Sequence, residues 1–228
     1  MRTSILTLGL LVATALALSG CGEPADRDPP AALPSAADPA PAIANTADDD
    51  GQAVDAFMAR IAEHCGEAFA GEAAGHAPRS ENNPFENRRL VMHVRECLDG
   101  ELRIPFHVSD DHSRTWLLTR TDAGLRLKHD HRLEDGSEDT VTMYGGDTTG
   151  PGTALRQEFP IDPYSIELYE RVGYLRSTGN VWAMEIEPGA YFAYEVVRAD
   201  GSFSRVEFDL SKPVDTPPTP WGWPALDD

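Results

Sequence analysis

The sequence predicts an α+β fold: mainly an antiparallel meander of about nine strands, as a curved sheet or barrel, with an N-terminal amphipathic helix and one inserted helix. Three features carry this reading. Between Arg88 and Leu210 apolar residues recur mostly with period two. The runs are separated by turn signals such as Asp99-Gly100, Asp135-Gly136 and Asp200-Gly201, where glycine accepts the positive φ of tight hairpins. Two stretches, at 54–69 and 162–173, have helical spacing instead. Closure into a barrel would remove the exposed edges of so many consecutive hairpins. An open sheet wrapped over the first helix fits nearly as well.

In chain order, Val54, Phe57, Met58, Ile61, Ala62, Cys65 and Phe69 define the amphipathic helix, with Cys65 on its buried face. Residues 71–86 turn polar and read as a loop. Leu90, Met92 and Val94 then alternate with Val91, His93 and Arg95, and Leu102, Ile104, Phe106 and Val108 form the next strand. Trp116 and Leu118 mark a strand, 125–133 another, and 141–144 returns. The glycine-rich stretch 145–152 reads as a connection to a further strand marked by Leu155, Gln157, Phe159 and Ile161. The stretch lacks a Gly-Lys-Ser/Thr ending and a following helix, so it does not read as a phosphate cradle. Asp162 as cap and Pro163 at the first position open the inserted helix, and Gly173 closes it. Strands at 181–187, 191–198 and 203–210 complete the domain. Aromatic residues such as Phe106, Trp116, Phe159, Trp182, Phe192, Tyr194 and Phe208 either pack a core or line a small-ligand cavity, and a domain of this size favours the core. The proline-rich segment 211–228 is not expected to be regular, and its Trp221 and Trp223 should pack back onto the domain.

Upstream, Arg2 precedes an uncharged apolar run from Ile5 to Leu18, followed by Leu18-Ser19-Gly20-Cys21. This is the layout of a secretory signal, too short to span a bilayer comfortably. Leu-Ser-Gly-Cys also resembles the lipobox of bacterial lipoproteins, and the chain is similar to envelope lipoproteins with a β-rich domain. The resemblance implies a signal peptide at 1–20, a lipidated (palmitate-type) first mature residue at Cys21, and a membrane partner through that anchor. Gly22, where aspartate would signal inner-membrane retention, implies the outer membrane, facing the periplasm. Residues 21–50, rich in Ala, Pro and Asp, read as a disordered tether. A single globular domain then occupies 51–210, ahead of the tail at 211–228.

The net charge of −19 argues against nucleic acid and against adhesion to anionic headgroups. With Cys21 lipidated, Cys65 and Cys97 remain as one pair in an oxidising compartment, expected as a disulfide rather than two buried thiols. That bridge would close a loop of about 33 residues, worth roughly 3–4 kcal/mol. Lys128-His129-Asp130-His131 is the most suggestive chemical motif. Strand alternation places His129 and His131 on one face, where they pair structurally with nearby carboxylates, hold zinc with a third ligand, or serve acid–base catalysis. His93, His107 and His112 are the candidates for that third ligand. His93 and His107 fall opposite their strands' apolar faces, and His112 in its acidic turn reads as solvated. No nucleophile elbow, metalloprotease helix or calcium loop occurs. The leading functional expectation is a non-catalytic, cofactor-free envelope lipoprotein that binds a small ligand or an envelope protein. The rival is a metal-dependent enzyme using His129 and His131.

Overall fold

The computed structural model describes residues 47–77 and 83–226. The signal, Cys21 and the tether up to residue 46 lie outside the described residues. Helix α1 (Ala47–Ala62) comes first and starts ahead of Gly51, inside the stretch expected to be tether. Its apolar stripe buries Val54, Phe57 and Ile61, each worth about 1.5–3 kcal/mol on removal from water. The helix stops at Ala62, not near Phe69, and tight bonds from the His64 and Cys65 amides to Ile61 and Ala62 close its last turn. Cys65 is therefore exposed in the turn, not on the buried face.

Eleven strands follow: β1 (Ala68–Ala77), β2 (Leu90–His93), β3 (Glu96–Leu98), β4 (Glu101–Val108), β5 (Asp111–Thr121), β6 (Gly124–His131), β7 (Tyr144–Asp147), β8 (Arg156–Pro160), β9 (Val181–Glu187), β10 (Tyr191–Val197) and β11 (Phe203–Val214). All pairings are antiparallel, in the order β7-β6-β5-β4-β2-β1-β11-β10-β9-β8, with β3 a side branch on β4. The two ends of this order meet. Gly146 on β7 bridges Ile161, just past β8, and the Asp162 amide donates to Gly145 O at 3.0 Å. The result is a nearly closed barrel, broadly α+β and β-rich. Strand β1 lies in the stretch expected to be a loop, β7 occupies the start of the glycine-rich connection, and β11 runs into the proline-rich tail as far as Val214.

α1 lies across one mouth of the barrel against β6, β8 and β9, fixed by Asp55–Arg120 (2.7 Å) and by Arg60 donating to Ala154 O (2.9 Å). Helix α2 (Pro163–Val172) covers the opposite mouth. Its expected start is present: Asp162 accepts from the Ser165 amide at 2.8 Å, and Gly173 ends the helix at φ 83°. Ser165 Oγ accepts from the Gly145 amide at 2.7 Å, which ties α2 to the barrel seam. No helix among the described residues is long and apolar enough to cross a membrane.

Cys65 and Cys97 are bonded, with sulfurs 2.13 Å apart. The bridge joins the end of α1 to β3, a three-residue strand paired only with β4. Replacing both cysteines by serine should lower the unfolding free energy by about 3 kcal/mol, because the unfolded chain regains the loop entropy. Urea unfolding would read this as a lower midpoint, and an unchanged midpoint would mean that the α1 contacts alone set the stability of this corner.

Candidate functional site

The His129–His131 motif sits on β6 near the α2 mouth, and the expected alternation holds. Asp130 points to the other face, buried at 2% exposure and held by Arg132 at 2.8 and 3.1 Å. His129 faces the interior. Its Nδ1 lies 3.1 Å from the carbonyl of Tyr144 and must donate, since a carbonyl only accepts. Its Nε2 then accepts from the Tyr194 hydroxyl at 2.8 Å. The Tyr144 ring stacks on the imidazole at 4.5 Å and 12°, and Trp182 leans on it at 5.2 Å. His131 lies nearer the mouth, its Nε2 3.1 Å from the Tyr144 hydroxyl, while its amide donates to Thr142 Oγ1.

Burial governs the charge state of this network. It pushes His129 down to about 3, helped by the charge on His131, and His131 down to about 4, helped by Arg114. The same desolvation raises the phenols of Tyr144, Tyr169 and Tyr194. All of these groups are therefore neutral at pH 7. His129 has both nitrogens engaged, so it offers no lone pair to a metal or a substrate proton. Among the described residues no three His, Cys, Asp or Glu side chains converge as a ligand set. The pair belongs to a hydrogen-bonded aromatic layer. The carboxylates expected to orient the imidazoles look elsewhere, Asp130 to Arg132 and Asp135 to Ser137.

The rest of the interior is filled. Trp116 stacks between Phe106 (5.0 Å) and Tyr194 (4.6 Å), and Phe159, Phe192 and Phe208 complete the packing. The aromatic residues thus form a core, not a ligand chamber. Surface clefts lie among the described residues. One of about 410 Å³ lies between Gly51, Arg120, Gly124 and Thr148–Pro151 at the start of α1. Another of about 410 Å³ lies on the outer wall over Gly71, Tyr191, Glu207 and Asp209.

Sequence reasoning missed a second histidine cluster, on the outer wall of β2, β4 and β5. His93 and His107 do face away from the interior as expected, yet each is only 3% exposed. His112, expected to be solvated, meets His107 with the two Nδ1 atoms 2.8 Å apart. The tail explains the burial nearby, since Trp221 and Trp223 pack back as expected, against His112 (6.2 Å between rings) and under Arg103 (5.2 Å). The available signal was the odd concentration of tryptophan and proline at the end of an otherwise polar segment. No protein-family model, curated protein or solved structure matches this chain.

Proposed function

We propose that the chain is a lipid-anchored protein of the bacterial cell envelope, tethered through Cys21 to the periplasmic face of the outer membrane, and that its β domain is a non-catalytic binding module. The observation that carries the reading is Leu18-Ser19-Gly20-Cys21 directly after the apolar run from Ile5 to Leu18. The proline- and alanine-rich stretch behind Cys21 suits a spacer, and the net charge of −19 leaves attachment to the acyl chains rather than to headgroups. The filled interior and the engaged nitrogens of His129 favour recognition by the outer surface, with an envelope protein as partner rather than an enclosed small ligand.

Metabolic labelling with a palmitate analogue, followed by membrane fractionation, tests the anchor. The wild-type chain should take label and sediment with the outer membrane, whereas Cys21→Ala should lose the label and at least about tenfold of its membrane-bound fraction, since acyl burial supplies the affinity. Label retained in Cys21→Ala, or an unlabelled wild-type chain, would overturn the proposal.

A further inference from the structure

The outer histidine cluster has no part in the anchoring and binding reading above. His107 on β4 is 3% exposed. In the neutral His107–His112 pair one Nδ1 carries a proton and the other accepts it, and in either arrangement His107 Nε2 is buried with no partner. His112 is in turn held by the C-terminal segment. The Trp221 amide donates to the His112 carbonyl at 3.0 Å, and the indole stands edge-on to the imidazole at 84°. Further along, Arg95 donates to Pro224 O, Trp223 lies under Arg103, and Gly222 packs against Gly136.

The charged and titratable groups facing His107 are His112 and Asp111 from β5, His93 from β2 and Arg89 just before it. Asp111 is already engaged by Arg114 (2.6 Å) and by the Ser113 amide (3.0 Å). Residues 216–226 of the covering segment include no charged side chain, so they bring no anion to this site.

We propose that residues 216–226 form an acid-released strap, latched beside the His107–His112 pair while the buried His107 ring is neutral and freed when that ring is protonated. A proton on His107 would bury a charge whose Nε2 N–H has no partner, in a wall where, among the described residues, Asp111 is the carboxylate facing it and is already taken. Burial, and then His112, His93 and Arg89, hold His107 down at about 3 in the latched form. The latched form is therefore fully favoured above the ordinary value of about 6.5, and it loses ground to the released form as the pH falls below that. Release uncovers the two indoles and the wall of histidine and arginine side chains beneath them, a surface that neutral pH keeps closed.

Hydrogen–deuterium exchange on the mature chain, corrected for intrinsic rates, tests this whether or not Cys21 carries lipid. The Trp221 amide reports directly, since it is bonded to His112. Between about pH 7 and about pH 5 its opening should increase up to about thirtyfold, the limit for one histidine released to its ordinary value, while β9 and β10 amides stay protected. His107→Gln should remove most of that pH dependence, with His112→Gln as the second variant if the first does not fold. Trp221→Ala should leave the segment open at both pH values with the barrel intact. Equal protection of Trp221 at the two pH values, the same pH dependence in both histidine variants, or opening only together with β9 and β10 would overturn the proposal.

Discussion

The unfolding free energy of the domain should fall by about 4 kcal/mol between pH 7 and pH 5 through His129 and His131 alone. Both imidazoles are held below their ordinary value by burial, His129 to about 3 and His131 to about 4. Their stabilisation is complete above about 6.5. It is lost at up to about 1.4 kcal/mol per histidine per pH unit as the unfolded chain binds protons that the folded chain refuses, until the folded rings protonate as well. Against a typical domain stability of about 5–15 kcal/mol, that loss leaves the barrel folded but markedly less stable in mild acid. Urea unfolding at the two pH values, followed by far-ultraviolet circular dichroism, measures it. His131→Gln should remove about half of this His129–His131 contribution. A free energy constant to within about 1 kcal/mol across this range would mean that both rings are solvated in the folded protein. The signal is separate from strap opening, because His129 lies in the barrel interior and His131 at its α2 mouth, whereas His107 lies on the outer wall.

The legible parts of the fold were those written in large apolar side chains. Leu102, Ile104 and Phe106 alternate cleanly, and the glycines at 100 and 201 take the positive φ their turns require (73° and 78°). Helix α2 was equally plain, because cap, proline and terminating glycine are local signals. Strand β1 was not. Its Ala68-Phe69-Ala70-Gly71-Glu72-Ala73-Ala74-Gly75 run has almost no amplitude at period two, because neighbouring side chains occupy the space its own would take. A Cβ on Gly71 would stand 2.4 Å from the Phe208 ring, and one on Gly75 3.3 Å from Phe203. Small residues here serve packing across the β1–β11 pair, and that depends on which strand lies alongside. The helical spacing carried past Ala62 to Cys65 and Phe69 by coincidence of period, since Phe69 is a strand residue of the same core.

The candidate site shows the same division. That His129 and His131 share a face followed from alternation, a local property. Of their partners, Tyr144 comes from the neighbouring strand β7, whereas Tyr194 on β10 arrives only as the sheet curls across the barrel. The meeting of His107, His112 and Trp221 depends on a tail that travels back over more than a hundred residues of chain. A histidine pair in a sequence is therefore an ambiguous sign, and what decides its chemistry is whether both ring nitrogens are taken by hydrogen bonds when the strands come together.

Gly146→Ala should be among the most damaging single-methyl changes in the domain, costing on the order of 3 kcal/mol or more. The barrel closes where β7 passes the end of β8, and the backbones approach so nearly that a Cβ on Gly146 would lie 1.9 Å from Pro160 O. A Cβ on Gly145 would lie equally close to Leu127 O on the other side. Neither obstacle is a side chain that can change rotamer, so relief requires separating strands. That separation would break the Gly146–Ile161 bridge, the bond from Asp162 to Gly145 O, and the Ser165 contact that seats α2. Interior glycine in a strand marks such close backbone approach, which explains why a run resembling a loop pairs with β6 over four residues. Gly150, in the same glycine-rich stretch, has open space around its Cβ position and no positive φ. Gly150→Ala should then change stability by less than about 0.5 kcal/mol, as an exposed substitution free of strain. Thermal or urea unfolding of the two variants side by side separates a glycine that closes the barrel from one that only links its strands. Equal stability of Gly146→Ala and Gly150→Ala would mean that β7 does not close against β8.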